Sequence, residues 1–258
     1  MNKDSEIKEI KSRRVFDSRG NPTIEVDIIT KNNTLGRAMA PSGASTGSNE
    51  ALEIRDGDEM FGGKDIKKAI KIIDEELSPL LINKSCLDQE GFDSIINLYD
   101  SSVRKTKIGG NVSIALSLAN YLCGAKFIDK PLFQYSSKNN NFSLPIPEIQ
   151  IFGGGAHAGN LPSFQDFLIF SPKKIKFIEF FEITFNIFNE VKINLAKNDL
   201  LKGYSDEGGF WPSHLNHFEI CKYINTAIEK LGYKIGEDVA ISIDVAANEL
   251  YSNKKYKI

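Results

Sequence analysis

Beyond an asparagine-rich stretch, Lys138-Asn-Asn-Asn141, the chain offers three strand-like apolar runs, at 144–152, 164–170 and 239–245. Three strands can make an open sheet but are too few to close a barrel. Helical spacing fills 175–196 and 217–231. The third run sets Val239, Ile241 and Ile243 on one face, and only residues 246–258 follow it. The expected product is an open apolar sheet edge.

The first half reads differently. Residues 23–30 alternate Ile24, Val26 and Ile28 against Glu25 and Asp27, the pattern of a strand with one buried face. Asp17-Ser-Arg-Gly-Asn-Pro22 before it is turn chemistry. A second strand is expected at 35–40. Helices are expected at 64–82, with Ile66, Ile70, Ile73, Leu77 and Leu80 at helical spacing, and at 111–127. The second helix holds Val112, Ala115, Leu116, Ala119, Leu122 and Cys123, so it is expected to be buried on more than one side. Strands followed by helices make an α+β region. The 138–141 stretch is the expected linker.

Composition excludes several classes. With 32 Lys+Arg against 34 Asp+Glu, the net charge is -2, and no long basic block occurs, so a nucleic-acid footprint is not expected. The most apolar stretch, 164–191, is broken by Asp166, Lys173, Lys174, Lys176, Glu179, Glu182 and Glu190. It is not a membrane span, which needs roughly 20 mainly apolar residues. The three cysteines, Cys86, Cys123 and Cys221, are spread out with no CxxC, as in a reduced intracellular chain without structural zinc.

Four places can carry chemistry. Pro41-Ser-Gly-Ala-Ser-Thr-Gly47 offers hydroxyls suited to Mg²⁺ and open backbone suited to phosphate, though taken alone it reads first as a flexible surface loop, since no Walker spacing with Lys follows. Phe152-Gly-Gly-Gly-Ala-His-Ala-Gly-Asn160 follows an apolar strand, and His157 there can transfer protons or hold an anion, or be incidental to a glycine turn. Ser205-Asp-Glu-Gly-Gly209 can place a carboxylate in a cleft as acid or base, or be a solvated turn. Asp244 ends an apolar strand, where an unpaired buried carboxylate is costly. A metal or a basic partner offsets that cost; an exposed strand end avoids it. Together these suggest a Mg²⁺ enzyme acting on an anionic phosphate or carboxylate.

Six segments resemble one family. They are Asp17-Ser-Arg-Gly-Asn-Pro-Thr-Ile-Glu25, Ala40-Pro-Ser-Gly-Ala-Ser-Thr-Gly47, Glu50-Ala-Leu-Glu-Ile-Arg-Asp-Gly-Asp58, Gly153-Gly-Gly-Ala-His-Ala-Gly-Asn160, Asp206-Glu-Gly-Gly-Phe210 and Asp244-Val-Ala-Ala-Asn-Glu249. They closely resemble enolase, phosphopyruvate hydratase, in order and spacing. The resemblance implies an α+β N-terminal domain at 1–137, followed by the first part of an enolase-type α/β (TIM-like) barrel at 138–258. It implies a cytoplasmic homodimer that dehydrates 2-phosphoglycerate to phosphoenolpyruvate in glycolysis, using two Mg²⁺ per site.

By the same resemblance Glu207 is the catalytic acid that assists departure of the hydroxyl. Asp244 ligates the tightly held Mg²⁺, and Ser42 on a mobile loop ligates the second. His157, Gln165 and Asp166 line the substrate. The family usually has Glu where this chain has Asp166, and the shorter side chain withdraws the carboxylate by about 1.5 Å. Trp211 stands where a small residue is usual. The base lysine, a second substrate lysine, two further Mg²⁺ carboxylates and a phosphate-binding Arg-Ser pair have no counterpart among these residues. The expectation is therefore an incomplete copy, inactive by itself. The alternatives are a non-catalytic binding module pairing with a full-length enolase, and a member of the wider superfamily acting on a sugar acid.

Overall fold

A computed structural model describes residues 3–43, 45–137, 139, 141–160 and 162–257. Ala44 of the hydroxyl loop and Lys138 and Asn140 of the expected linker lie outside the described residues. Contacts divide the chain into two units, Met1–Gly43 with Asn49–Phe142, and Ala44–Ser48 with Ser143–Ile258.

The first unit is built on an antiparallel meander, β1 (Ile7–Phe16), β2 (Pro22–Thr30) and β3 (Leu35–Met39), with β2 central. The β1–β2 turn forms because Asp17 Oδ1 accepts from the backbone N–H of Arg19 (2.9 Å) and Asn21 (2.8 Å), with Gly20 at φ +75°. Ile24, Val26 and Ile28 are fully buried as their alternation predicts. On the other face Asp27 takes a two-pronged hydrogen bond from Arg37 (2.6 and 2.8 Å), and Arg13 bridges Asp27 and Glu25. The expected helix at 64–82 is three joined pieces: α1 (Lys67–Lys71), a π-helical turn (Ile72–Leu77) and α2 (Ser78–Leu81). Pro79, at the start of α2, has no N–H to return to the preceding turn, and the widened turn lies just before it.

Helix α3 (Gln89–Tyr99) is not predicted from the sequence; Asp88 caps it, accepting from Gly91 N–H at 2.9 Å. Helix α4 (Gly110–Phe127) lies across β2 and β3. It buries Val112, Ala115, Leu116, Ala119 and Cys123, while Ile114 stays exposed, so it is covered on more than one side as expected but not all round. Gly36 on β3 makes this possible, since a Cβ there would stand 2.2 Å from Ala119 O. Cys86 and Cys123 are free thiols buried in this core, and Cys123 Sγ donates to Thr34 O at 3.7 Å. A short helix, α5 (Leu132–Tyr135), follows.

The second unit carries an antiparallel sheet in the order β4 (Ile149–Gly153), β5 (Asp166–Phe170), β6 (Ala240–Asp244). Helices α6 (Phe177–Lys197) and α7 (His217–Lys230) share a core with it, through Ile151, Phe152, Phe167, Ile169, Ile187, Val191, Ile220 and Ile224. The strand expected at 144–152 begins only at Ile149, because Pro145 and Pro147 cannot donate to a ladder. The expected single apolar face of β6 is covered only at one end. Val239 is fully buried, but Ile243 is 40% exposed. After β6 come a short α8 (Ala247–Leu250) and a hairpin, β7 (Tyr251–Ser252) and β8 (Lys255–Tyr256), turned by Asn253 and Lys254 at positive φ. Among the described residues the sheet does not close into a barrel, and no helix is long and apolar enough to cross a membrane.

The Arg37 and Arg13 guanidinium groups hold the Asp27 carboxyl down to about 2, against the partial cost of its burial. A depressed carboxylate stabilises the fold above its ordinary value near 4 and loses that contribution as pH falls through about 2. A shift of that size is worth on the order of 2 kcal/mol. We expect D27N to be destabilised at neutral pH and to show a flatter dependence of the urea midpoint on pH between about 4 and 2.

Candidate active site

The site lies at one rim of the second unit's sheet. Strand β5 runs antiparallel to both neighbours, so Gly153 at the end of β4 pairs with Asp166 at the start of β5, and Asp166 pairs with Asp244 at the end of β6. The segment at 204–210 folds back over that rim. Phe210 N–H donates to Ile151 O at 2.8 Å, and Gly153 N–H donates to Phe210 O at 3.3 Å.

Beyond β4 the glycine-rich loop closes on residues 162–165. Gly154 N–H donates to Gln165 O (2.6 Å), and Gly155 N–H donates to Pro162 O (2.8 Å). A Cβ at Gly154 would meet Phe164 O at 2.3 Å. This packing seats a 3₁₀ turn, Gly155–Ala158, that buries the His157 ring. Its Nδ1 lies 2.7 Å from Asp206 Oδ1 and its Nε2 lies 3.5 Å from Glu207 Oε1. The carboxylates come from a tight turn in which Ser205 N–H donates to Gly209 O (2.8 Å) and Gly208 N–H donates to Ser205 O (3.1 Å). Ligand atoms of His157, Asp166 and Glu207 all fall within 4.8 Å of one another.

Asp166 is the buried carboxylate of the set. Burial pushes its carboxyl up, and the charges of Glu207 and Asp244 add to the rise; a hydrogen bond from Gln150 and the nearby His157 oppose it. Gln165 is half-buried, and its Oε1 is an acceptor closed off from solvent with no protein donor. Asp244 departs from expectation. Its carboxylate is exposed at the strand end, with Oδ1 accepting from Ala246 N–H at 2.9 Å. The reason is that β6 is an edge strand of this sheet. Ser42 belongs to the first unit, where its hydroxyl accepts from Arg55 Nη2 at 3.1 Å and its carbonyl from Arg19 at 3.3 Å.

The donor set does not make a Mg²⁺ shell by itself. Such a shell wants about six oxygen ligands, whereas the close cluster includes an imidazole, and its carboxylates already face Gln150 and His157.

Sequence reasoning missed two supporting side chains, Gln150 and His217. Gln150 on β4 touches both Asp166 and Glu207. His217, at the start of α7, accepts at Nε2 from Phe164 N–H (3.3 Å) and lies 3.2 Å from Ser163 Oγ, with its ring against Phe164 and Phe167. Trp211 lies under Gly159, 3.9 Å from where a Cβ would stand. The only signal for Gln150 was a polar residue inside an otherwise apolar strand. His217 was legible only as a histidine at a helix start.

Burial pulls the His217 ring below its ordinary value, favouring the neutral form that accepts from Phe164. That contribution is present above about 6.5, the ordinary histidine value, and is lost as pH falls. We expect H217A to lower the protection factor of the Phe164 amide against deuterium exchange at pH 7, where the neutral ring accepts from it.

Family models match the two halves of the chain in order. The enolase N-terminal domain matches residues 7–136, and the enolase C-terminal TIM barrel domain matches residues 141–258. The chain is 40% identical over 250 residues to Enolase 1 of Desulfitobacterium hafniense, covering 96% of this chain and 57% of that protein. It is 41% identical over 254 residues to the enolase of Natranaerobius thermophilus, covering 98% of this chain and 60% of that protein. The chain thus spans less than two thirds of the length of these relatives. Its fold is an enolase N-terminal domain followed by part of the TIM-barrel domain, and the chain belongs to the enolase family.

Proposed function

We propose that this chain carries one part of an enolase active site, that of a hydro-lyase eliminating water from 2-phosphoglycerate to give phosphoenolpyruvate. The observation that supports it best is the convergence of His157, Asp166 and Glu207 within 4.8 Å at the sheet rim. Glu207 is the acid that protonates the departing hydroxyl, and Asp166 is its carboxylate partner. A buried carboxylate beside a more exposed one is the arrangement that separates proton-holding roles. His157 and Gln165 are the residues assigned to substrate contact.

Mg²⁺ in this family supplies electrostatic stabilisation of the developing enolate. Asp244 and, from its loop, Ser42 are the residues of this chain that we assign to it. They do not complete a shell, so no step is derived through the ion here. The two parts, 1–137 and 138–258, are read as the N-terminal domain and part of the barrel domain of a cytoplasmic homodimer.

The reading predicts that phosphoenolpyruvate at millimolar concentration moves the ring resonances of His157 and the side-chain amide of Gln165 in NMR spectra. It also predicts that H157A abolishes the Gln165 response. Unmoved resonances at both residues would sink it. No residue here matches the base lysine, so the purified 258-residue chain is expected to show no Mg²⁺-dependent production of phosphoenolpyruvate. Turnover above the background of an E207Q control overturns that expectation.

A further inference from the structure

The amide of Gln150 is held on four sides. Its Oε1 accepts from Gly209 N–H (2.8 Å) and from Ser205 Oγ (3.3 Å). Its Nε2 donates to Asp166 Oδ1 and to Glu207 Oε2, the latter at 3.1 Å. Only one orientation of the amide satisfies this set. Turned over, it would aim its oxygen at two carboxylates and its NH₂ at a backbone N–H. The pocket is also cut to the shape of this side chain. A Cβ on Gly209 would stand 2.5 Å from Gln150 Oε1, and one on Gly153 would meet Gln150 Nε2 at 3.2 Å and Ser205 Oγ at 2.2 Å. A register shift in the β4–β5 ladder falls between Gln150 and Phe152, the kind of irregularity that re-aims a side chain.

We propose that Gln150 is a positioning residue that holds Asp166 and Glu207 as one unit, giving one amide hydrogen to each carboxylate. Two carboxylates at this spacing repel each other, and a shared neutral donor offsets the repulsion without adding a charge. The amide also makes up for the short side chain of Asp166, because Gln150 reaches out to meet it. Each carboxylate is left with its other oxygen: Glu207 Oε1 faces His157, and Asp166 Oδ2 is free of the clamp. The importance of the clamp rests on the reading of Glu207 as acid and Asp166 as its partner. The clamp itself does not.

The test is the side-chain NH₂ of Gln150 in ¹⁵N-labelled, ligand-free protein, assigned by its loss in Q150M. The expected result is that D166N shifts one of the two amide protons upfield and E207Q shifts the other. A side chain with a merely structural role, anchored to Gly209 and Ser205, would show neither shift, and that result overturns the proposal. Chain length gives a second measurement in case Q150M fails to fold. Q150N should lose both downfield protons, and Q150N/D166E should regain the one bonded to residue 166. Failure of that rescue also counts against the clamp. Proton shifts without any response of His157 and Gln165 to phosphoenolpyruvate would leave the clamp standing and remove the enolase reading; the converse would do the reverse.

Discussion

The pairing direction of β5 governs the second unit. Running against both neighbours, it brings the end of β4, its own start and the end of β6 to the same rim. Three segments far apart in sequence, around residues 153, 166 and 244, therefore meet without any long side chain reaching across. Had β5 run parallel to β4, Asp166 would stand at the opposite end of the sheet from the glycine loop. The apolar core between sheet and helices fixes this pairing, because a slip of one residue would turn the fully buried Phe167 and Ile169 out of it and put the half-buried Leu168 and Phe170 in their place.

That arrangement has an electrostatic cost. Asp166 and Asp244 stand directly opposite across the ladder, and Glu207 arrives from a third segment. Like charges so placed destabilise the sheet edge. The chain answers with hydrogen-bonding partners and exposure rather than with distance. Exposure of Asp244 keeps most of its charge in water, His157 sits between Asp206 and Glu207, and an amide lies between Glu207 and Asp166. The site is held together by hydrogen bonds to groups that would otherwise push apart, and ligand-binding groups are commonly stored in such arrangements.

Much of the fold was legible. Alternation located β2 and β3, and helical spacing located α4, α6 and α7 to within two residues. Strand β1 escaped because its run of Lys, Glu and Arg hides a half-covered edge strand, and α3 escaped because its start is a lone Asp cap. Prolines at 145 and 147 shortened β4, a local rule that the apolar pattern overrode. In the site, motif residues such as His157 and Glu207 could be picked out because glycines flank them. Gln150 and His217 act through contacts 57 and 53 residues away in sequence, to Glu207 and Phe164, and no local pattern encodes those.

The contact at Gly36 carries a mechanical consequence. Where side chains separate a strand from a helix, small shifts are absorbed by rotamer changes. At Gly36 backbone meets backbone, with Ala119 O and Cys123 N as close neighbours and nothing compressible between them. Strand β3 is thus clamped to α4 as a stiff strut, and it leads through Ala40 and Pro41 directly into Ser42. Any travel of Ser42 must therefore begin beyond that strut, within the two residues Ala40 and Pro41.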